Sequence, residues 1–389
     1  MQLFQTKSHI VITCSYRLAP YLQQEVEALG YGPVQVFKTG VRLMGTMADC
    51  IRLNLHLRCA SQVLFSIKAF KAANAQDIYD ALADLAWEEI LAADGYFSVT
   101  SNVQNDTIDN ALFVNVRVKD AIADRFRKLT GQRPDSGPEN DRAVINLFWR
   151  NQDAEVFVDT SGQTLSKHGY RKIPGKAPMM ESLAAATLLA TRWNRQSPFI
   201  NPMCGSGTLA IEAALLATNR KPGLYRANYG FMHLIGYTQN LYETALRELE
   251  QAVIQVQRLP IVATDISEDA VDIAKINAGI AGVEEMIDFA VCDFRQTKVP
   301  PDTGGAVYFN PEYGDRLGEI AALEATYKAI GDFMKQQCKG YTGYVFTGNL
   351  DLAKKIGLKP AKRIEFYTGK IDCRLLEYEL YSGTKRDNP

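Results

Sequence analysis

The feature that most constrains the fold is an alternation of apolar runs and amphipathic segments in the C-terminal half of the chain. The runs PFIN, IVATD and AVYFN are followed by helical spacing over residues 207–218, 267–281 and 318–337. This alternation predicts a mostly parallel, doubly wound sheet. Further strands are predicted at IDFAV, YTGYVF, RIEFYTG and CRLLEYELY. The last two strands, joined by a short turn at Gly369 and Lys370, are predicted to form an antiparallel hairpin.

The N-terminal half has a different order of elements. Residues 9–70 show strand and helix patterns in the order βαββαβ, which is the ferredoxin-like arrangement. A second α+β unit follows, with helices near residues 78–90 and 111–129 and strands at YFSVTSNV, AVINLFW and EVFVDT. Residues 161–178, rich in Gly, Pro, Ser and Lys, have the composition of a linker. A chain of 389 residues exceeds what one ordinary core serves, so we predict two or three domains.

Composition excludes several classes of protein. With 47% hydrophobic and 22% charged residues, the chain is typical of soluble globular proteins. No apolar run approaches the roughly 20 residues of a membrane helix, and the N-terminus lacks the apolar core of a secretory signal. A cytoplasmic location is expected. The seven cysteines form no CxxC pair and the four histidines no metal-binding spacing, so we predict no metal.

A formal net charge of −1 argues against a general polyanion binder, because counterion release needs many clustered Lys and Arg side chains. Any contact with a nucleic acid is therefore expected to be local. Residues 117–133 and 167–176 are the two basic stretches that qualify. A solvated helix face for the first and a charged linker for the second fit the pattern equally well. The candidates for nucleic-acid contacts are Arg125, Lys128, Lys167, Arg171 and Lys172.

The sequence NPMCGSGT, residues 201–208, is a glycine-containing turn between a predicted strand and a predicted helix. Its glycines let the backbone approach a ligand closely, and the helix N-terminus supplies free N–H donors. A phosphate-binding loop would need Gly-Lys-Ser/Thr, which is absent, and the turn alone fits cofactors of many folds. The candidates for cofactor contacts in this turn are Asn201, Cys204, Gly205, Gly207 and Thr208.

Two carboxylates follow later strands. Asp265 ends IVATD, and with the adjacent Ile266 it is a candidate cofactor contact because a carboxylate there can accept hydrogen bonds from both ribose hydroxyls. Asp265 lies much farther after the glycine turn than in a dinucleotide site, so an insertion is predicted. Asp293 in VCDF is placed to accept a hydrogen bond from an adenine amine. A simple helix cap for Asp265 and a turn for Asp293 are the alternatives.

The last candidate is Asn310-Pro-Glu-Tyr313, directly after the apolar strand AVYF. A base amine is a poor nucleophile because its lone pair is delocalised into the ring, and acceptors on its N–H groups localise that pair. The Asn310 side-chain oxygen and the Pro311 carbonyl supply two acceptors, and the Tyr313 ring could stack on an extruded base. The pattern is that of an amine methylation site, although Asn-Pro also starts ordinary turns.

Together these elements resemble class I methyltransferases that act on base amines. The chain further resembles one family closely, the bacterial guanine-N2 methyltransferases of 23S ribosomal RNA that carry a THUMP domain. The stretches that carry the resemblance are LSKHGYR at 165–171, KAP at 176–178 with LAAA at 183–186, NPMCGSGT running on to IEAA at 201–214, ATDIS at 263–267 and NPEYGDRL at 310–317.

The resemblance implies an α/β fold class with a Rossmann-like class I methyltransferase domain at residues 181–389. Its sheet would have seven strands and end in an antiparallel hairpin. A ferredoxin-like domain at residues 1–70, a THUMP RNA-binding domain at residues 71–160 and a linker at residues 161–180 would precede it. The cofactor implied is S-adenosylmethionine, and the partner is structured RNA, namely 23S ribosomal RNA.

The resemblance also implies residue roles. The glycine turn would surround the methionine portion of the cofactor, Asp265 its ribose and Asp293 its adenine. Asn310 and the Pro311 carbonyl would hold the target amine, and Tyr313 would stack on the base. Asn310 is in addition a candidate cofactor contact. Glu312 departs from the family, which has proline there. Two alternatives stay open: a DNA adenine-N6 methyltransferase, or an RNA-binding or ribosome-assembly protein whose catalysis Glu312 has impaired.

Overall fold

A computed structural model of the chain describes residues 3–105, 108, 110–175, 178–256, 259–301, 304–314 and 317–381. The chain divides into two compact units. The first comprises Met1–Cys14, Leu22–Leu165 and Pro222–Gln251, and the second comprises Ser15–Tyr21, Ser166–Lys221 and Ala252–Pro389. No helix among the described residues is both long and apolar enough to cross a membrane.

The first unit is built on one mixed sheet of eight strands in the order β2-β3-β1-β4-β8-β7-β5-β6. Its ferredoxin-like elements are β1 (Ser8–Thr13), α1 (Ala19–Ala28), β2 (Gln35–Phe37), β3 (Gly40–Gly45), α2 (Met47–His56) and β4 (Gln62–Lys71). Its later elements are α3 (Ala75–Ala83), β5 (Tyr96–Gln104), α4 (Ala111–Thr130), β6 (Asp135–Gly137), β7 (Ala143–Arg150) and β8 (Asp153–Asp159).

The βαββαβ prediction is confirmed. β1 lies between β3 and β4 and pairs antiparallel with both, as in a ferredoxin-like sheet. β4 also pairs antiparallel with β8, so the sheet continues without a break into the second α+β region. Ile10, Val11 and Ile12 in the middle of β1 are all buried, and since successive side chains of a strand point to opposite faces, the sheet is covered on both faces here.

The insertion predicted between the glycine turn and Asp265 contributes to the first unit. It contains α7 (Gln239–Gln251). A Cβ on Gly223 would lie 2.7 Å from three atoms of Leu55 at the end of α2, so only glycine allows this approach. The insertion is therefore packed closely against the ferredoxin-like elements.

The second unit contains a seven-stranded sheet in the order β11-β10-β9-β12-β13-β15-β14. Its strands are β9 (Phe199–Pro202), β10 (Ile261–Asp265), β11 (Ile287–Val291), β12 (Gly305–Phe309), β13 (Tyr341–Thr347), β14 (Lys362–Thr368) and β15 (Ile371–Glu379). Its helices are α5 (Glu181–Leu189), α6 (Thr208–Ala217), α8 (Glu268–Ile280), α9 (Leu317–Gln337) and α10 (Leu350–Lys355).

The predicted fold of this unit is confirmed. β9 to β13 are parallel, and β15 pairs antiparallel with both β13 and β14. Side chains of β12, β13 and α9, among them Val307, Phe309, Ile330 and Phe333, form its buried core. The stretch predicted as a linker contains fully buried His168 and Tyr170, so it is not a solvated tether.

Candidate functional site

The candidate site lies where the strand order of the second sheet reverses. β9 has β10 on one side and β12 on the other. In open α/β sheets, ligands bind outside the carboxyl ends of the strands at such a reversal. Because the three strands are parallel, they end at the same edge of the sheet, at Pro202, Asp265 and Phe309. The glycine turn, the Asp265 loop and Asn310 therefore follow neighbouring strands.

The turn between β9 and α6 contains three residues with positive φ: Met203 at 60°, Gly205 at 54° and Gly207 at 81°. A Cβ on Gly207 would lie 2.8 Å from the Cβ of Ala274 in α8, so glycine lets the two helices meet. A Cβ on Gly205 would have no atom within 4 Å beyond its chain neighbours. The turn thus presents bare backbone to open space before the first turn of α6.

The carboxylate of Asp265 binds two backbone N–H groups. Gly205 donates to Oδ2 over 2.9 Å, and Ser267 donates to Oδ1 over 3.0 Å. The Ser267 hydroxyl in turn accepts from the N–H of Ala270 and caps α8. Each carboxylate oxygen keeps further acceptor capacity, because an ionised carboxylate accepts about four hydrogen bonds.

Asn201 is fully buried on β9 and joins the two strands at the reversal. Its Nδ2 donates to the carbonyl of Tyr308 in β12 over 2.9 Å. Its Oδ1 has no hydrogen-bond partner within the described part of the chain. A buried acceptor without a partner costs about 1–3 kcal/mol, so a donor from a ligand would be favourable here.

Cys204 and Thr208, both predicted cofactor contacts, bind protein groups in the structure. The Cys204 N–H donates to the carbonyl of Thr264 over 2.9 Å, and burial raises the pKa of its thiol. The Thr208 hydroxyl accepts from the guanidinium of Arg171 over 3.2 Å. Both residues therefore shape the turn, and a direct contact of either with a cofactor stays a prediction.

Asp293 and Ile266 lie at the outer part of the site. Both oxygens of the Asp293 carboxylate accept from the guanidinium of Arg295, which lowers the pKa of Asp293 to about 2. Arg295 itself is 65% exposed. Ile266 is 74% exposed, which leaves an uncovered apolar surface directly after Asp265.

The motif after β12 places its four residues in different surroundings. Asn310 is half-buried, Pro311 is buried and Glu312 is exposed. Tyr313 is half-buried, and its carbonyl accepts from Nδ2 of Asn349 over 3.3 Å. The continuation of the family motif at residues 315 and 316 lies outside the described residues.

The structure corrects the predicted role of Arg171 in nucleic-acid binding. Its guanidinium lies 2.6 Å from the carboxylate of Glu181 and also donates to the carbonyl of Met179 over 2.8 Å. The side chains of Arg171 and Glu181 are only 9% and 2% exposed. Since the donors are used inside the protein, Arg171 holds the start of α5 near Thr208 and is not available to a phosphate.

The other basic candidates divide into two kinds. Arg125 forms a two-point contact with Glu88, at 2.7 and 3.1 Å, which occupies much of its guanidinium. Lys128, Lys167 and Lys172 are exposed. Lys176, at the end of the second basic stretch, lies outside the described residues.

Sequence reasoning missed two buried polar contacts beneath the glycine turn. Asn277 of α8 is fully buried and donates to the carbonyl of Ile173 over 3.0 Å. Nδ1 of His168 and Oε1 of Glu212 lie 2.6 Å apart, and both side chains are fully buried. The available signal was a glutamate within the apolar run TLAIEAALLA, because a buried carboxylate needs a partner.

Within the described ranges, no group of three or more His, Cys, Asp or Glu side chains could hold a metal ion.

Models of three protein families match successive parts of the chain. The RMKL-like methyltransferase domain matches residues 168–377, which is more than half of the chain. The RlmL ferredoxin-like domain matches residues 9–64, and the THUMP domain matches residues 72–159. The resemblance predicted from the motifs, including the two N-terminal domains, is confirmed.

Curated relatives align along nearly the whole chain. A ribosomal RNA large subunit methyltransferase K/L of Syntrophotalea carbinolica is 35% identical over 370 residues, covering 93% of this chain and 52% of the relative. The chain thus spans about half the length of such K/L relatives. A proposed RNA methyltransferase of Synechocystis sp. is 32% identical over 358 residues, covering 92% of this chain and 93% of the relative.

Solved structures have the same architecture. SMU.472, a proposed methyltransferase crystallised with S-adenosylhomocysteine, has a TM-score of 0.87 and 26% identity, covering 97% of this chain and 99% of its own. A predicted N6-adenine-specific DNA methylase from Listeria monocytogenes has a TM-score of 0.88 and 29% identity, covering 97% of each chain.

Proposed function

The chain belongs to the family of RMKL-like methyltransferases, and we propose that it transfers a methyl group from S-adenosylmethionine to the N2 amine of a guanine in 23S ribosomal RNA. One observation carries the proposal. The glycine turn and Asp265 are joined by a hydrogen bond at the edge of the sheet where Asn310 follows the neighbouring strand. A cofactor held by the first two groups would lie beside an amide and a carbonyl that accept from an amine.

The groups at this edge fit S-adenosylmethionine, which supplies an electrophilic methyl group when bound. Asp265 would accept hydrogen bonds from the ribose hydroxyls, and the side chain of Ile266, which is exposed, would pack on the adenine ring. The unpartnered Oδ1 of Asn201 and the bare backbone at Gly205 suit the amino and carboxylate groups of the methionine portion. Asp293 would accept from the adenine amine through the acceptor capacity that its oxygens keep beside Arg295.

Asn310, Pro311 and Tyr313 act on the target base. The side-chain oxygen of Asn310 and the carbonyl of Pro311 accept the two N–H bonds of the amine, which localises its lone pair and aims it at the methyl group. Tyr313 stacks on the extruded guanine. Asn310 is half-buried, so part of this residue stays exposed at the carboxyl edge of the sheet.

RNA is favoured as the substrate over DNA. The THUMP match and the names of the Syntrophotalea and Synechocystis relatives support RNA. The Listeria neighbour, named for adenine N6 in DNA, supports the second candidate, since residues 310–313 would serve either amine. The ferredoxin-like and THUMP matches in the first unit favour RNA, because we take these domains to recognise structured RNA by shape.

A comparison of nucleic acids tests the proposal. The purified chain with labelled S-adenosylmethionine is offered 23S ribosomal RNA and double-stranded DNA separately, with the Asn310→Ala variant as the matched control. We expect label in RNA alone, and none with the variant. Transfer to DNA alone would end the RNA proposal, and no transfer to either would favour a non-catalytic RNA-binding protein.

A further inference from the structure

Two residues of the segment 15–21 pack against the C-terminal hairpin of the second unit and form a group of aromatic and arginine side chains with it. The rings of Tyr16 and Tyr367 meet edge to face with centroids 5.3 Å apart. The guanidinium carbon of Arg17 lies 5.4 Å from the Tyr16 centroid and 5.2 Å from the Tyr367 centroid. Tyr16 is nevertheless 41% exposed. We refer to Tyr16, Arg17 and Tyr367 as the Tyr16 cluster.

Arg17 is held in an unfavourable backbone conformation. Its φ of 71° lies in the left-handed region, which residues with a Cβ rarely adopt. Two carboxylates of the hairpin hold its guanidinium, Glu365 at 2.9 Å and Asp372 at 3.2 Å. Such strain concentrates at functional sites, as it does at Met203 in the glycine turn.

The cluster lies at the same edge of the sheet as the candidate active site. Thr347 at the carboxyl end of β13 faces Arg374 of β15, so the turn that joins β14 and β15 is at this edge. A Cβ on Gly348 would lie 2.7 Å from Cγ2 of Ile371 in the hairpin and 3.2 Å from the ring of Tyr313. The proposed base-stacking residue therefore packs beside the hairpin that carries the cluster.

The charges around the cluster indicate what it can bind. Arg17 and Arg374 are balanced by Glu365 and Asp372, which lie within 3.5 Å of them. Two arginines and two carboxylates carry no net charge together, so they attract a phosphate only weakly. An exposed tyrosine ring, in contrast, offers a surface on which the uncharged face of a base can stack. Lys370 is exposed in the turn between β14 and β15 and has no ion pair within the described ranges. It is placed to contact the phosphate backbone of the nucleic acid whose base stacks on the cluster.

We propose that the Tyr16 cluster is a stacking platform for an unpaired base that flanks the methylated nucleotide. The proposal rests on the proposed function, because it takes the substrate to be RNA whose target base is extruded. Tyr16 stacks on the flanking base, and Arg17 fixes the orientation of the two rings. A segment that merely anchored the N-terminal residues would bury Tyr16, which instead stays exposed.

Photochemical cross-linking tests whether a base stacks on the Tyr16 cluster, and it does not require methyl transfer. Fragments of 23S ribosomal RNA containing 5-iodouridine are bound to the whole chain with S-adenosylhomocysteine and irradiated, and the linked peptides are mapped by mass spectrometry. We expect links at Tyr16 or Tyr367. Absence of links at the cluster would overturn the platform, whether or not RNA is linked elsewhere. If the chain transfers no methyl group but still forms RNA cross-links at the cluster, only the proposed function is contradicted.

Kinetics separate stacking from support of the fold. Tyr16→Ala should raise the KM for RNA by roughly 5- to 100-fold, the size expected for one base–aromatic stack, with kcat and cofactor affinity unchanged. Tyr16→Trp should restore the KM. Arg17→Gly, which suits the left-handed backbone, should also raise it. The matched control Tyr381→Ala alters another exposed tyrosine and should leave the KM unchanged. A KM within twofold of wild type for Tyr16→Ala, or an equal loss of cofactor binding, would contradict the platform.

Discussion

The backbone N–H of Gly205 donates a hydrogen bond of 2.9 Å to Oδ2 of Asp265. These residues come from two different turns, and the bond makes the conformation of the first turn depend on the carboxylate that ends β10. The same carboxylate is proposed to hold the cofactor ribose. Loss of Asp265 would therefore disturb two contacts to the cofactor together.

Asp265→Ala should weaken S-adenosylmethionine binding strongly. Hydrogen bonds to a charged group contribute about 1.5–3 kcal/mol, so we expect the Kd to rise roughly 10- to 100-fold in calorimetry. Asp269→Ala, an exposed carboxylate of α8, is the matched control and should leave the Kd unchanged. An Asp265→Ala protein with wild-type affinity would show that the ribose is held elsewhere.

Asn310→Ala should remove transfer while leaving cofactor affinity within a few fold. The amide is proposed mainly to orient the target amine, so kcat should fall by about 100-fold or more, as for loss of a well-placed polar contact to the transition state. Single-turnover transfer and calorimetry on the same preparation measure the two effects. A large loss of cofactor binding instead would assign Asn310 a different role.

Glu312→Gln should change kcat by less than about threefold. The Glu312 side chain is exposed, and no ion pair involves it within the residues that the structure describes. Its carboxylate can therefore turn to solvent without disturbing Asn310 or Tyr313. Transfer rates of the wild type and the variant provide the test. A rise of tenfold or more in the variant would show that the carboxylate hinders catalysis and would support the impaired alternative.

Asp159 should make the stability of the first unit depend on pH. Burial raises the pKa of its carboxyl to about 7, although the N–H groups of Ser161 and Gly162 donate hydrogen bonds to the carboxylate and lower this pKa. The folded state then keeps a proton that an unfolded aspartate releases above a pKa of about 3.9. The contribution of Asp159 to the free energy of unfolding is complete below about pH 3.9 and is lost as the pH rises through about 7. Between pH 5 and pH 7 the loss is about 2 kcal/mol.

Urea denaturation at several pH values measures this effect, with Asp159→Asn expected to flatten the profile. Asp153→Asn changes an exposed carboxylate on the same strand and serves as the control. Equal pH profiles for the wild type and Asp159→Asn would show that Asp159 is ionised in the folded protein.

The alternation of apolar runs, turns and helical segments predicted the strands and crossover helices of the second sheet, and α6, although buried at every residue, was marked by the glycine turn that precedes it. This alternation could not predict α5, whose residues are buried on nearly every side and show no amphipathic pattern. β6 was also missed, since its three residues Asp135–Gly137 carry no strand signal. The position of α7 in the first unit depends on contacts between residues far apart in the sequence.

The meeting of Gly205 and Asp265 was predictable because both follow parallel strands that end at one edge. The partner of Arg171 was not, since a basic residue in a polar stretch has the same pattern whether it faces solvent or a buried carboxylate. Glu181 became its partner only through the packing of α5. Likewise, no periodicity linked Tyr16 to Tyr367, which lie at opposite ends of the chain.

The most direct test of the central claim is nucleoside mass spectrometry of 23S ribosomal RNA from cells that lack this gene and carry either the wild-type chain or its Asn310→Ala variant. The account predicts N2-methylguanosine at one position with the wild type and unmodified guanosine there with the variant. Equal N2-methylguanosine in both strains would contradict it.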